Sequence, residues 1–149
     1  AIASTSSMST ARTPPSAAVC AMQDRAKTLI VTMKRAPQSR RRPFEQAGVE
    51  VMSLPMRNGE VSLPALITML GKRGLTSVLI EGGSTVNAAA LRENVVNHAV
   101  FYLAPILMGG QDAKAVIGGR SPKRLAEALP LRHATVRRIG KDVVLEGDL

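Results

Sequence analysis

The fold is decided by a stretch of ten residues, 78–87, which reads Val-Leu-Ile-Glu-Gly-Gly-Ser-Thr-Val-Asn. Its apolar start predicts a short strand over residues 76–80, of the kind that a parallel sheet buries on both faces. Gly82 and Gly83 then turn the chain into a helix, which we predict over residues 84–94. The stretch therefore predicts a strand, a glycine turn and a helix in succession, as is typical of α/β folds.

This unit has the features of an anion-binding site. Glycines lack a Cβ atom, so a phosphate can approach the backbone, and the N–H groups at a helix start point toward it. Ligands of open α/β sheets bind at the carboxyl ends of the strands. The stretch lacks the three-glycine dinucleotide fingerprint and the lysine of the triphosphate-binding loop. A tight turn with a helix cap is therefore the alternative interpretation. Glu81 suits a hydrogen-bond acceptor for a second ligand better than a phosphate contact.

Strand and helix patterns alternate on both sides of this unit. Ser62 is a natural N-cap, and Pro64 lies in the following first turn, where a missing N–H costs nothing. The predicted strands cover residues 28–32, 49–54, 76–80, 100–107, 134–139 and 143–146, and the predicted helices cover residues 43–48, 63–73, 84–94 and 121–128. The alternation predicts a three-layer α/β domain with a mostly parallel mixed sheet and a C-terminal antiparallel hairpin.

We expect residues 1–149 to form a single domain, with residues 1–26 as an entry segment that holds the remnant of a strand. Residues 1–23 contain no Asp or Glu, a composition that mimics a transit peptide. A single arginine, Arg12, and the lack of an amphipathic period favour a loop-like entry instead.

Charge and composition limit the classes of partner. The chain has 20 Lys and Arg against 11 Asp and Glu, a net charge of +9, which favours an anionic partner. Two Phe, one Tyr and no Trp are too few for the base stacking that single-strand nucleic-acid binders use. No apolar run approaches the roughly 18 to 20 residues of a membrane span. We expect a phosphorylated small molecule, and neither nucleic acid nor a membrane.

Metal and nucleophilic chemistry have little support in the sequence. One cysteine, Cys20, and two histidines, His98 and His133, do not make a zinc cage. None of the three has a partner at catalytic spacing, and we assign them no chemical role. An anion-binding turn without a nucleophile, base or metal set suits hydride transfer, in which the cofactor supplies the chemistry.

Two further segments are candidates for ligand contact. Lys34 and Arg35, with three arginines at residues 40–42, follow the strand that ends at Thr32. Such cations suit the 2′-phosphate that distinguishes NADPH from NADH, and a solvated basic loop is the alternative. Residues 108–111, Met-Gly-Gly-Gln, permit close ligand approach, or form a loop with unusual backbone angles.

In these segments the chain resembles the C-terminal reductase domain of the bifunctional riboflavin-biosynthesis deaminase/reductase, which has a dihydrofolate-reductase-like fold. The resemblance covers about residues 27–149, and residues 12–17 look like the stretch after an earlier strand of that family. The matching stretches are residues 61–66, 74–87, 102–110 and 140–147. Their combination in order and spacing is more specific than any single motif.

The resemblance implies reduction of 5-amino-6-(5-phosphoribosylamino)uracil to its ribitylamino form, with NADPH as the donor, in the cytoplasm. Glu81 is then a substrate contact, and Ser4, Thr5 and Ser6 are weaker cofactor contacts. The implied cofactor-binding residues are Gly82, Gly83, Ser84, Thr85, Val86, Asn87, Ala88, Ala89, Thr32, Lys34 and Arg35. A homodimer is also implied, and the apolar side chains of Tyr102, Leu103, Ile106 and Leu107 are its expected surface.

The chain departs from that family in two respects. The zinc deaminase domain is absent, and so is the first part of the reductase, which holds substrate and nicotinamide through an acidic segment. We therefore expect the 149 residues alone to bind ligands without turnover. The alternatives are a non-catalytic nucleotide-binding remnant and, less favoured, a basic nucleic-acid-binding domain. Only nucleic-acid affinity should collapse between about 50 and 200 mM salt.

Overall fold

The computed structural model describes residues 2–4, 14, 16–21, 23–34, 36–57, 59–110 and 112–149. The chain divides into two compact units, residues 1–79 and residues 80–149, which are described separately. The organisation as one domain stays a prediction. In the ranges described, no helix combines the length and the apolar character that a membrane span requires.

The first unit is built on a parallel three-stranded sheet in the order β1-β2-β3. Its strands are β1 (Ile2–Ser4), β2 (Thr28–Met33) and β3 (Glu50–Leu54). The central strand β2 is buried from Thr28 to Thr32 because it has a strand on either side and covered faces. The strands predicted over residues 28–32 and 49–54 are thus confirmed, and the entry segment contributes β1.

Two helices complete the core of this sheet. They are α1 (Ala18–Ala21) and α2 (Gln38–Gln46), and the buried cluster that they share with the strands is Cys20, Ile30, Phe44 and Val49. The single helical turn predicted over residues 43–48 begins too late, because Pro43 lies inside α2 and not in its first turn. The arginines of residues 40–42 therefore lie on a helix and not in a loop.

The helix α3 (Leu63–Lys72) follows a small antiparallel hairpin formed by β4 (Met56–Arg57) and β5 (Glu60–Val61). The hydroxyl of Ser62 accepts a hydrogen bond from the N–H of Ala65 at 3.4 Å, as the predicted N-cap requires. Its apolar face is buried through Leu63, Leu66 and Leu70. The prediction for α3 is confirmed.

The second unit begins with α4 (Ser84–Arg92) and ends in an antiparallel sheet in the order β6-β8-β7. The strands are β6 (His98–Leu103), β7 (Arg132–Ile139) and β8 (Asp142–Asp148). The predicted C-terminal hairpin is confirmed as β7 and β8. The strand predicted over residues 100–107 ends at Leu103 instead, shortly before Pro105, which has no N–H for a strand ladder.

Two sequence predictions in this region are wrong. Residues 76–80 lie within the described range yet belong to no strand, and Leu79 is 81% exposed. A buried strand needs neighbours that satisfy its backbone, and the local pattern could not supply them. The helix predicted over residues 121–128 shrinks to a 3-10 turn, Leu125–Glu127, because its exposed side chains offer no apolar face to pack.

Candidate functional site

The turn before α4 keeps the geometry that an anion site needs. Gly83 is the N-cap of α4, with φ −74° and ψ 174°, and its carbonyl accepts a hydrogen bond from the N–H of Asn87 at 3.1 Å. The first N–H groups of a helix have no carbonyl partner within the helix. Gly83 has no side chain to satisfy them, and a helix start of this kind is a candidate anion site.

The two glycines of this turn have different surroundings. A Cβ atom on Gly82 would lie 2.7 Å from Cβ and 2.8 Å from Cγ1 of Val86, so Gly82 is required by packing within the chain. A Cβ atom on Gly83 would meet no heavy atom within 4 Å. Only Gly83 therefore leaves open space from which a ligand can reach the start of α4.

The predicted contacts around the turn differ in accessibility. Glu81 and Thr85 are exposed, while Ser84, Val86 and the residues Asn87 and Ala88 are half-buried. Ala89 is buried, so its side chain is not open to a ligand in this structure. The exposed carboxylate of Glu81 stands two residues before the open glycine, as a hydrogen-bond acceptor beside an anion site should.

A segment for which the sequence predicted no role lies against the first turns of α4. The side-chain N–H of Asn87 donates to the carbonyl of Val116 at 2.9 Å, and the N–H of Gly118 donates to the carbonyl of Ser84 at 2.9 Å. Gly119 has φ +84°, and a Cβ atom on it would make ordinary van der Waals contact with the methyl carbon of Ala88 at 3.4 Å. The adjacent pair Gly118 and Gly119 was the available sequence signal.

The remaining predicted cofactor contacts belong to the first unit. Thr32 lies near the end of β2 and is only 1% exposed, and its hydroxyl lies 3.4 Å from the carbonyl oxygen of Met52. The cofactor contact of Thr32 stays a prediction. The burial of its side chain does not favour it. Lys34 is exposed just beyond the strand. Arg35, like Thr5 and Ser6 of the entry segment, lies outside the described residues, as do the side chain of Ser4 and the end of the 108–111 motif.

Both histidines have a partner that sequence spacing did not show. Nδ1 of His98 lies 2.8 Å from one carboxylate oxygen of Asp148, and Nδ1 of His133 lies 3.1 Å from the other. Hydrogen bonds from His98 first, and then from His133, hold the pKa of the Asp148 carboxyl below its ordinary value. Sequence spacing did not reveal these pairs, because β6, β7 and β8 bring together residues far apart in the chain. That the histidines have no chemical role stays a prediction. No group of three metal-ligating side chains occurs within the described ranges.

Solved structures share the fold of the chain. RibD of Acinetobacter baumannii, form 2, matches with a TM-score of 0.73 at 23% identity, over 93% of this chain and 35% of that one. A pyrimidine reductase-like protein of Corynebacterium diphtheriae matches with a TM-score of 0.68 at 18% identity, over 96% of this chain and 59% of that one. The chain is thus a dihydrofolate-reductase-like α/β protein, which confirms the predicted fold class.

Sequence relatives narrow that class to a family. The model of the RibD C-terminal domain matches residues 7–145, and the chain belongs to that family. The riboflavin biosynthesis protein RibD of Actinobacillus pleuropneumoniae is 38% identical over 69% of this chain. The 2,5-diamino-6-ribosylamino-4(3H)-pyrimidinone 5′-phosphate reductase of Aquifex aeolicus is 30% identical over 95% of it. The chain spans 27% of the length of the first relative and 62% of the second.

Proposed function

We propose that this chain carries an NADPH-dependent reduction of a ribosylamino-pyrimidine 5′-phosphate to its ribitylamino form, a step of riboflavin biosynthesis. The observation that carries the proposal is the open space at Gly83 at the start of α4, with Glu81 exposed two residues earlier. The family supports the same reaction, because the Aquifex relative is named as a reductase of such a pyrimidine phosphate.

The residues of the turn and the basic residues after β2 have separate roles in this proposal. The N–H groups at the start of α4 bind a phosphate of NADPH, which approaches through the space that Gly83 leaves. Glu81 accepts a hydrogen bond from a hydroxyl or N–H group of the substrate and so orients it. Lys34 and Arg35 bind the 2′-phosphate and thereby select NADPH over NADH. NADPH, when bound, supplies the hydride that the ribose C1′ accepts.

Catalysis in this proposal also needs contacts from outside the 149 residues. The chain covers 27% and 62% of two relatives, and RibD proteins are much longer than the chain. Hydride transfer requires reacting carbons about 3 to 3.5 Å apart, and a misplacement of about 1 Å can cost a hundredfold. The turn before α4 holds phosphates but cannot alone fix both the nicotinamide and the pyrimidine. The chain by itself therefore binds NADPH without turnover.

The proposed assembly is a homodimer in the cytoplasm. On β6 and just after it, Tyr102, Leu103, Ile106 and Leu107 are all exposed, and the side chain of Leu107 is completely open to solvent. Large apolar side chains exposed to this extent are candidates for an interaction site. A second copy of the chain is the proposed occupant, because the resemblance to the reductase family implies a dimer.

The test compares the chain with a longer polypeptide in which the residues of this chain replace the matching ones of a full-length RibD relative. We expect both to bind NADPH, and only the longer one to oxidise it, and only when the ribosylamino-pyrimidine phosphate is present. Supplying the substrate in its deaminated and non-deaminated forms, in separate assays, identifies the form that the enzyme accepts. Binding without turnover in both polypeptides would favour the nucleotide-binding remnant, and affinity for nucleic acid that collapses with salt would favour the basic module.

A further inference from the structure

We infer that Asn87 is a positioning residue, one that fixes the segment of residues 116–119 beside the cofactor site. The inference rests on the proposed binding of NADPH at the start of α4. Its basis is the hydrogen bond of 2.9 Å from the side-chain N–H of Asn87 to the carbonyl of Val116. That bond already uses a donor of the amide that the family resemblance assigns to the cofactor.

Hydrogen bonds in both directions join the segment to α4. Asn87 donates from the helix to the segment, and Gly118 donates from the segment to the carbonyl of Ser84. Ser84 and Asn87 are three residues apart, and Ser84 and Ala88 are four apart, so all three share one face of the helix. The segment covers this face, while Thr85 and the start of the helix at Gly83 stay exposed. Residues 116–119 therefore form one wall beside the open space at Gly83.

Glycine is favoured at both positions where this wall meets the helix. A Cβ atom on Gly118 would lie 3.2 Å from Oγ and 3.3 Å from the carbonyl carbon of Ser84. Gly119 has φ +84°, a backbone conformation that residues with a side chain rarely adopt. Close backbone packing and the hydrogen bond of Asn87 thus order the segment before a ligand arrives. Binding to an ordered wall avoids the conformational entropy loss that a mobile wall would add.

The test uses Asn87→Leu, which keeps the branch at Cγ, adds no charge and cannot donate a hydrogen bond. We expect faster hydrogen exchange at the amide of Gly118, unchanged exchange in β7 and β8, and a roughly tenfold higher Kd for NADPH, equivalent to 1.4 kcal/mol. Asn87→His keeps a ring N–H donor near the same position. In this variant the exchange at Gly118 and the Kd for NADPH should stay close to those of the unaltered chain. Gly118→Ala perturbs the same contact from the other side and should reproduce the Asn87→Leu result.

The matched control is Asn97→Leu, since Asn97 is exposed and its side chain makes no hydrogen bond among those described. It should change neither readout. Equal NADPH affinity in Asn87→Leu and the unaltered chain, or unchanged exchange at Gly118, would overturn the inference. An unaltered chain that fails to bind NADPH would overturn the proposed function first, and the inference with it. NADPH binding by the unaltered chain therefore distinguishes failure of the inference from failure of the proposed function.

Discussion

The sharpest prediction concerns the two glycines before α4, because the structure separates their roles. In Gly83→Val the new side chain meets no heavy atom of the chain within 4 Å, and φ −74° with ψ 174° is an ordinary extended conformation. The expected loss of stability is limited to that of a weaker N-cap, about 1 kcal/mol. The valine does, however, fill the space through which the phosphate is proposed to approach.

The effect of Gly83→Val on binding should exceed its effect on folding. Phosphate oxygens must come within about 2.7 to 2.9 Å of the backbone nitrogens to make charge-assisted hydrogen bonds. A valine side chain in that path should raise the Kd for NADPH at least tenfold, or about 1.4 kcal/mol. Calorimetric titration with NADPH, together with thermal unfolding of the same preparation, measures both quantities.

Gly82→Ala is the matched comparison. Its Cβ atom would lie 2.7 Å from Cβ of Val86, so the cost falls on packing within the chain. Overpacking of this kind typically costs about 1 to 3 kcal/mol of stability. We expect Gly82→Ala to lower the unfolding temperature more than Gly83→Val does. A stably folded Gly83→Val protein with unchanged NADPH affinity would refute the placement of the phosphate.

Three further predictions concern charge and assembly. Replacing both Lys34 and Arg35 by Ala should remove most of the preference for NADPH over NADH, since a charge-assisted phosphate contact is worth about 1.5 to 3 kcal/mol; an unchanged ratio of the two Kd values would mean that the basic segment is merely solvated. Arg73 donates to both carboxylate oxygens of Glu50 at 2.9 and 2.7 Å and holds the pKa of that carboxyl below its ordinary value. Because the pair is largely exposed, Arg73→Ala should cost at most about 1 kcal/mol in urea unfolding at neutral pH. The cost should start to shrink as the pH falls below the ordinary carboxyl pKa of 4.5, and should vanish as the pH passes through the lowered pKa of Glu50 in the folded chain. Sedimentation should show a dimer that Leu107→Glu dissociates, whereas a monomer at micromolar concentration would contradict the proposed assembly.

The elements that could be predicted from the sequence are those that local chemistry determines. Ser62 and Pro64 begin α3 and Gly74 follows its end, and all of these signals lie within one segment. The hairpin of β7 and β8 likewise depends on a tight turn at Gly140, where φ is +60°. The turn and helix that follow Glu81 were predicted for the same reason, although α4 ends at Arg92, slightly before the predicted boundary.

Features that depend on distant residues could not be predicted in this way. The apolar run of residues 76–80 suggested a buried strand, but burial depends on which strands are available to pair with it. The bonds of Asp148 to His98 and His133 join residues 50 and 15 positions apart. The wall formed by residues 116–119 is likewise joined to Asn87 over 29 positions. Such contacts follow from strand order and loop path, which a local pattern does not specify.

The most direct test of the proposed function follows deuterium from the C4 position of labelled NADPH into the product. The longer polypeptide, in which the residues of this chain replace the matching ones of a full-length RibD relative, is incubated with the ribosylamino-pyrimidine phosphate, and the product is examined by mass spectrometry. We predict deuterium at the former ribose C1′ of a ribitylamino product, with Glu81→Gln raising the KM for the substrate more than the Kd for NADPH. Bound NADPH with no deuterated product would contradict the proposed reaction. An unchanged KM for the substrate in Glu81→Gln would contradict the assigned role of Glu81.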